Sequence, residues 1–279
     1  MDFAGLAQYG RALHVYICKV PGSIPGSLRE IVLFLLRILG FFILKRRKSM
    51  IEDQNLSIYK AATENVRELK KNVKILNKMI NFAIKNGNTQ ELDTLTKLYL
   101  LLFSTYAEAS FLKLINTPHG FLKTEIESIN QMRNLENKWK RCIEICLDKL
   151  RNNINKGDIQ NKNKRLEKLV EVNIIENSQI RNKIAHGQWH TCFNNSNTRI
   201  SEENTTKLKN IDVVKISLHL EIYVKIQQCI EDIIESPKTH YRDYYVSMEE
   251  IERIENAIAD KKNWNLATKK KKAAKFKKI

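Results

Sequence analysis

Apolar residues recur every three or four positions over most of residues 50–235, a region with few glycines and one proline. This spacing gathers apolar side chains on one face of an α-helix, so the pattern predicts an all-α body. The first predicted helix runs from about residue 52 to residue 85 and stops at Asn86-Gly87. Its apolar stripe consists of Ile58, Ala62, Val66, Leu69, Val73, Leu76, Ile80 and Ala83.

Four further helices complete a predicted bundle of about five. Residues 98–103 are apolar nearly all round, so the second helix is expected to be the central, most buried one. The polar stretch 194–206 has no apolar repeat and is expected to be a mobile loop. The predicted helices after the first span about 88–115, about 122–153, a segment that carries Leu166 to Ile184, and about 211–234.

Residues 236–279 follow the bundle as a separate C-terminal region. Ser247 and Glu250 predict the start of a short sixth helix that ends near Asp260. Beyond Trp264 the Lys-rich tail lacks the apolar content needed to fold, and we expect disorder there. The lysines suit either an arm that concentrates nucleic acid or a tail that is only solvated, and the sequence leaves both open.

Residues 1–49 form an N-terminal extension with a different composition. The run 31–44 is apolar except for Arg37 and Gly40, and the basic cluster 45–48 closes it. A membrane span needs about 20 apolar residues, so this run is short for one. Four interpretations of residues 24–48 stay open: a transmembrane helix, a helix on the membrane surface, a helix packed on the body, and an extension foreign to the fold. If they insert, the basic cluster keeps the body in the cytoplasm.

The net charge of +17 is concentrated at the two ends of the chain. Residues 45–48 carry +4 and residues 261–279 carry nine lysines and no acid, whereas residues 49–260 carry only +2. Basic appendages attract nucleic acid or anionic membranes without specifying either. The five cysteines are few and odd in number, which argues against a disulfide scaffold and for a reducing compartment such as the cytoplasm.

The end of the fourth predicted helix carries the residues with the most chemistry. Ile180 and Ile184 lie four apart, as on a buried helical face, and Asn182 and His186 share a different face. Gly187 is expected to stop the helix, which leaves His186 in the last turn. The segment reads Arg181-Asn182-Lys183-Ile184-Ala185-His186-Gly187.

This segment resembles the signature of the HEPN superfamily (higher eukaryotes and prokaryotes nucleotide-binding), an Arg and a polar residue followed by a His. Arg181, Asn182 and His186 match those places. The resemblance covers roughly residues 50–235 and implies a HEPN-like helical bundle. Many such proteins are metal-independent ribonucleases of toxin, RNA-processing or anti-phage systems, and they act as dimers that face two motifs across one cleft.

The resemblance implies a chemistry for each motif residue. His186 would transfer protons during attack by an RNA 2′-hydroxyl, Arg181 would neutralise charge on the phosphoryl oxygens, and Asn182 would orient His186 or the phosphate. The expected partners are RNA, a second copy of the chain, and an antitoxin or regulatory protein. No cofactor is expected. Lys183, His190 and Glu108 are further candidates for substrate contact, although for Glu108 an ordinary surface carboxylate is favoured over pairing with Arg181.

Three other interpretations remain open from the sequence. A non-catalytic HEPN module would bind nucleotide, RNA or a partner protein through the same residues. A membrane-associated interaction protein would be built around residues 24–48. A zinc site would require thiolates and imidazoles from Cys142, Cys146, His186, His190 and Cys192, but their spacings are not those of a standard zinc finger, and we predict no metal.

Overall fold

The structure is a computed structural model that describes the backbone of residues 26–260 and 265–275, and the side chains of residues 55–260 and 265–272. The chain divides into two compact units, Met1–Asn55 and Leu56–Ile279. The second unit contains the predicted bundle. The side chains of the apolar run 31–44 and of the basic cluster 45–48 lie outside the described residues.

The described residues confirm the all-α prediction, because they contain helices and no β-strand. A π-helical turn, Glu171–Ile175, joins two of the helices end to end. We number the helices in chain order. They are α1 (Gly26–Asn86), α2 (Thr89–Ile115), α3 (Lys123–Asn130), α4 (Leu135–Asp148), α5 (Lys156–Val170), α6 (Glu176–Ala185), α7 (Glu202–Lys209), α8 (Val213–Glu235), α9 (Tyr241–Ala259) and α10 (Leu266–Lys275).

The predicted number of about five helices is wrong, since the described residues form more. The single helix expected over 122–153 is divided into α3 and α4. Asn134 caps the start of α4, where its side-chain oxygen accepts a hydrogen bond from the Asn137 backbone N–H at 2.9 Å. Helix α9 also begins at Tyr241, six residues before the predicted start at Ser247.

Two segments expected to be irregular contain helices. The predicted loop 194–206 runs into α7, and Thr205 and Leu208 bury that helix against the bundle. The predicted disordered tail contains α10, whose first backbone N–H, from Leu266, donates to Asp212 Oδ2 at 3.0 Å. In both cases contacts with residues elsewhere in the chain stabilise a helix that the local composition does not favour.

Helix α2 is central, as predicted. Tyr99, Leu100, Phe103 and Leu114 are each at most 1% exposed, and aromatic side chains from other helices surround them. Tyr223 of α8 donates its hydroxyl hydrogen to the Ala107 carbonyl oxygen at 2.7 Å, which satisfies a phenol buried in the core. Among the described residues, α2 alone is long and apolar enough to cross a membrane, and its buried side chains are those of a core helix.

The π-helical turn sits just before the motif-bearing helix α6. It widens one turn of an otherwise continuous helix, so α5 and α6 present different faces to the bundle. Asn173 within the turn donates from Nδ2 to the Leu169 carbonyl oxygen at 2.9 Å, and its Oδ1 lies 2.7 Å from His219 Nδ1. Helix α6 then packs against α2, which brings the motif beside the central helix.

Candidate functional site

Arg181 turns from α6 towards α2 and forms a salt bridge with Glu108. The Arg181 side chain is only 22% exposed, whereas the Glu108 side chain is 49% exposed. Burial lowers the pKa of the Arg181 guanidinium, because a charged group loses hydration there. Its Nε is buried and has no hydrogen-bond partner among the described residues. One terminal nitrogen of the guanidinium is therefore held by Glu108, while Nε lacks a hydrogen bond to any described residue.

The favoured sequence reading of Glu108, an ordinary surface carboxylate, is wrong. Glu108 lies 73 residues before Arg181 in the chain and bonds to it directly. Glu108 is nevertheless partly open to solvent. Glu108 thus pairs with Arg181, the less favoured of its two predicted roles.

The end of α6 forms a Schellman motif that places His186 at the helix C-cap. The Gly187 backbone N–H donates to the Ile184 carbonyl oxygen at 3.0 Å, and the Gln188 N–H donates to the Lys183 oxygen at 2.9 Å. Gly187 has φ +80°, the left-handed conformation that this turn requires and that glycine adopts without strain. The predicted helix stop at Gly187 is confirmed.

The faces of α6 follow the predicted pattern. Ile180 and Ile184 are 7% and 1% exposed and pack into the core, whereas Asn182 and His186 are exposed. Because Asn182 and His186 are one helical turn apart, they lie side by side on the solvent face. Arg181 lies on the face turned towards α2, so the structure divides the three motif residues between two neighbouring faces.

Lys183 and His190, both candidates for substrate contact, have different surroundings from each other. Lys183 Nζ donates to the Phe193 carbonyl oxygen at 2.7 Å and to Asn195 Oδ1 at 3.5 Å, so the ammonium already has partners. His190 is exposed, and its Nδ1 lies 3.0 Å from the Thr191 hydroxyl. Lys183 consequently ties the segment after α6 to the motif helix, while His190 stays open to solvent.

The segment after α6 is held by hydrogen bonds rather than free. The Phe193 N–H donates to Gln188 Oε1 at 2.8 Å, and Phe193 and Ile200 pair in an isolated antiparallel bridge. The Cys192 N–H donates to Thr205 Oγ1 at 2.9 Å, which fastens the base of the segment to α7. Residues 188–201 therefore form an ordered, hydrogen-bonded surface beside the motif, which we call the wall.

Sequence reasoning missed a group of exposed apolar side chains beside the motif. Trp189, Phe193 and Ile200 are 37%, 38% and 55% exposed. Lys97 of α2 places its ammonium 5.9 Å from the centre of the Trp189 ring. A tryptophan two residues after the helix stop, in a polar stretch, is the signal that could have identified this surface.

The residues of the zinc alternative are not brought together as a metal site. Cys142, Cys146 and Cys192 are fully buried, whereas His186 and His190 are exposed. Burial raises the pKa of the Cys146 thiol well above its ordinary value, which disfavours the thiolate that binds zinc. Within residues 55–260 and 265–272, no three His, Cys, Asp or Glu side chains are close enough to hold an ion.

No protein-family model matches this chain, and no curated protein or solved structure shows significant similarity to it. The functional assignment therefore rests on the chemistry of the motif and on its surroundings. The segment combines a half-buried guanidinium and an exposed imidazole at the helix end, and exposed apolar side chains follow it in the chain.

Proposed function

We propose that this protein is a HEPN-type endoribonuclease that cleaves RNA through attack of the 2′-hydroxyl and needs no metal ion. The observation that carries the proposal is the end of α6, where one short segment carries a guanidinium held by Glu108 and, on a neighbouring face, an exposed amide and an exposed imidazole. These groups supply charge neutralisation, hydrogen bonding and proton transfer. RNA transesterification requires those three contributions.

The proposed reaction uses two imidazoles, one as the base and one as the acid. A neutral His186 accepts the proton of the 2′-hydroxyl while the 2′-oxygen bonds to the adjacent phosphorus. The bond from phosphorus to the 5′-oxygen breaks, and a protonated His186 from a second copy gives its proton to that oxygen. The products carry a 2′,3′-cyclic phosphate and a 5′-hydroxyl. Arg181 binds the non-bridging oxygens as negative charge grows on them, a role that suits its planar fork of N–H donors.

A homodimer follows from this chemistry, because each copy contributes one motif histidine. A two-fold axis would place two copies of the same surface against each other. The exposed Trp189, Phe193 and Ile200 support this arrangement, since aromatic and aliphatic side chains beside a site are typical of an interface core. In this arrangement His190 contacts the RNA backbone, and Lys183 holds the wall formed by residues 188–201 in place.

The biological role that accompanies the proposal is that of a toxin or anti-phage effector, because uncontrolled RNA cleavage harms the cell that carries it. Such an activity requires restraint by an antitoxin or another regulatory protein. This role comes from the resemblance of Arg181-x4-His186, and the proposed chemistry does not depend on it.

The second candidate is a non-catalytic HEPN module that binds nucleotide, RNA or a partner protein. The salt bridge between Arg181 and Glu108 favours it, because a carboxylate on the guanidinium competes with a phosphate for the same donors. In that case His186 would make contacts without transferring a proton. The two candidates differ in whether loss of the imidazole abolishes a reaction.

The first experiment incubates the purified protein with total RNA or with single-stranded DNA in the presence of a chelator. RNA cleavage that leaves cyclic-phosphate ends is expected, whereas DNA should survive because it lacks the attacking hydroxyl. His186→Ala should lower the rate by at least about a hundredfold, as expected for loss of an acid–base catalyst. His119→Asn, at an exposed histidine in the turn after α2, is the matched control and should retain activity.

The same assay separates the two candidates. A dimeric, folded protein that binds RNA but does not cleave it, or that cleaves equally well as His186→Ala, would support the binding module instead.

The requirement for one His186 from each copy has its own test, in which increasing amounts of His186→Ala protein are refolded together with wild-type protein. Mixed dimers then lack one of the two imidazoles, so activity should fall more steeply than the fraction of wild-type chains.

A further inference from the structure

The C-terminal part of α1 exposes large apolar side chains along one side. Ile75, Met79 and Phe82 are 56%, 46% and 61% exposed, and their spacing of four and three residues aligns them on the helix surface. Ile80 and Ala83, which face the core from the same helix, are 0% exposed. The exposed stripe is therefore separate from the packing of the bundle, and a contiguous apolar stripe of this kind marks a surface for a partner.

Lysines flank this stripe. The chain contains five lysines and no acidic residue between Glu68 and Glu91, and all five are exposed. One of them, Lys71, forms an ion pair with Glu68 at 2.9 Å, and the other four form none with the described residues. Helical geometry places four of the five within roughly 100° of the stripe on its solvent side. The five are Lys70, Lys71, Lys74, Lys78 and Lys85.

Helix α10 adds a second group of lysines at the end of α1. Lys270 and Lys85 line the same cleft, together with the residues of the turn Asn86-Gly87. Residues 265–275 contain five lysines and no acid. The two basic segments, distant in sequence, are thus continuous at this end of the bundle, and the apolar stripe runs up to them.

The combination of charge and apolar surface discriminates among the kinds of partner. A second copy of this chain would oppose lysines to lysines, which is unfavourable. RNA would satisfy the lysines but would leave the aliphatic Ile75 and Met79 without a matching surface, since bases stack on aromatic rings. A bilayer with anionic lipids satisfies both features, because apolar side chains enter the acyl boundary while lysine stems extend to the headgroups.

We propose that residues 70–85 of α1 form a membrane-contact surface for bilayers that contain anionic lipids. Ile75, Met79 and Phe82 enter the interface, and the flanking lysines bind the headgroup phosphates. This surface is distinct from residues 24–48 and does not depend on the ribonuclease proposal. The protein would then work at a membrane surface, with the bundle carried on its first helix.

The test uses the full chain and a probe whose signal reports this helix alone. Met79→Cys, in a Cys18→Ser background, is labelled with an environment-sensitive nitrobenzoxadiazole fluorophore. The cysteines at 142, 146, 192 and 229 are buried and stay unlabelled in the folded protein. Vesicles of phosphatidylcholine mixed with phosphatidylglycerol should shift the emission to the blue, and vesicles of phosphatidylcholine alone should not. The same label at Lys164→Cys, exposed on α5, should not respond.

Charge and apolar variants test the two features separately by vesicle co-sedimentation. Lys74→Glu/Lys78→Glu should weaken binding to anionic vesicles at least about tenfold, because each lysine near a charged bilayer contributes appreciably. Lys164→Glu/Lys168→Glu makes the same change of charge on α5 and should have little effect. In the protein labelled at position 79, Ile75→Ser/Phe82→Ser should abolish the blue shift, whereas Leu122→Ser/Val246→Ser, at similarly exposed apolar positions, should not.

The proposal is overturned if anionic vesicles never shift the emission of the fluorophore at position 79, whether the protein stays in solution or binds through another segment. The proposal also fails if Lys74→Glu/Lys78→Glu leaves vesicle binding unchanged and weakens RNA binding instead. In that outcome the surface belongs to RNA. Circular dichroism of each variant confirms that the helical bundle is intact before its binding is compared.

Discussion

Glu108 of α2 and Arg181 of α6 form a salt bridge that joins the central helix to the motif-bearing helix. Arg181 is the more buried of the two and leaves its Nε unsatisfied among the described residues. A carboxylate in this position neutralises the guanidinium and also fixes its direction. The pair therefore links the fold to the proposed chemistry.

We expect Glu108→Gln to lower RNA cleavage while leaving the fold intact. Half of the Glu108 side chain is exposed, so the pair should contribute no more than about 1 kcal/mol to stability, as partly exposed ion pairs do. The loss of activity follows because Arg181 loses its fixed direction. Urea unfolding and initial cleavage rates measure the two effects. Glu64→Gln, which removes a surface pair with Arg67, is the control and should change neither. Faster cleavage by Glu108→Gln would show that Glu108 blocks Arg181 instead of positioning it.

Gly187→Ala should destabilise the protein by about 1–2 kcal/mol, the cost of a side chain in the left-handed conformation. Gly187 has φ +80°, and a Cβ there would meet nothing within 4 Å, so backbone strain is the main cost. Gly87 has φ +72° and equally open surroundings, so Gly87→Ala is a matched control for stability. Both variants should unfold at similarly reduced urea concentrations, whereas Gly187→Ala alone should reduce cleavage because it displaces His186. Equal cleavage by the two variants would argue against a role for the helix end.

The helices were predictable because a buried helical face repeats at a period visible in the sequence. In the predicted stripe of α1, Ala62, Val66, Ile80 and Ala83 are buried as expected, whereas Ile58 is 37% exposed. Ile180 and Ile184 are buried as predicted. The Schellman turn at Gly187 was predictable for the same reason, since its requirement for a positive φ is local. The features that could be predicted, the buried helical faces and the turn at Gly187, are therefore those that depend on residues close together in the sequence.

The errors have a common physical origin in contacts between distant residues. The pair of Glu108 and Arg181 spans 73 positions, and no local pattern encodes it. Helix α10 has few apolar residues, but Asp212 binds its first N–H and so offsets part of the cost of ordering it. The division between α3 and α4 was missed because the apolar stripe continues across it, which hides the cap formed by Asn134.

His219 should make the protein sensitive to mild acid. Burial, assisted by Lys215, lowers its pKa to about 4, and its Nδ1 lies 2.7 Å from Asn173 Oδ1. Because the unfolded state takes up a proton near pH 6.5 and the folded state does not, stability is lost as the pH falls from 6.5 to about 4. The loss attributable to His219 is about 3 kcal/mol.

The variant His219→Gln checks this expectation, because glutamine can still donate a hydrogen bond towards Asn173 but does not titrate. The difference in unfolding free energy between wild type and His219→Gln should shrink or reverse as the pH falls through that window. Chemical unfolding at a series of pH values measures it. His119→Asn, at an exposed histidine whose φ of 61° asparagine also adopts, serves as the reference and should show no such trend. A constant difference between wild type and His219→Gln would mean that His219 is not the acid-sensitive group.

Lys162 should give a dependence of the same direction at alkaline pH, where stability again rises with pH. Its side chain is buried, and its ammonium lies 3.5 Å from the centre of the Tyr244 ring and 4.5 Å from that of Tyr245. The Nζ atom has no hydrogen-bond partner among the described residues, so the rings stabilise the charge without fully replacing water. Burial lowers the pKa of Lys162 below its ordinary value of 10.5, and nearby Asp158 and Cys229 oppose this shift.

The sign of the effect follows from proton uptake. Between the lowered pKa of Lys162 and pH 10.5, the unfolded chain binds more protons at this residue than the folded protein. Raising the pH through that window therefore stabilises wild type relative to Lys162→Met, a variant that keeps the length of the side chain and removes its charge. Denaturant titrations from neutral to alkaline pH should show the difference growing in favour of wild type. Lys164→Met, exposed on the same helix, should show no such trend, and a flat difference for Lys162→Met would mean that the ammonium is as well solvated in the fold as in water.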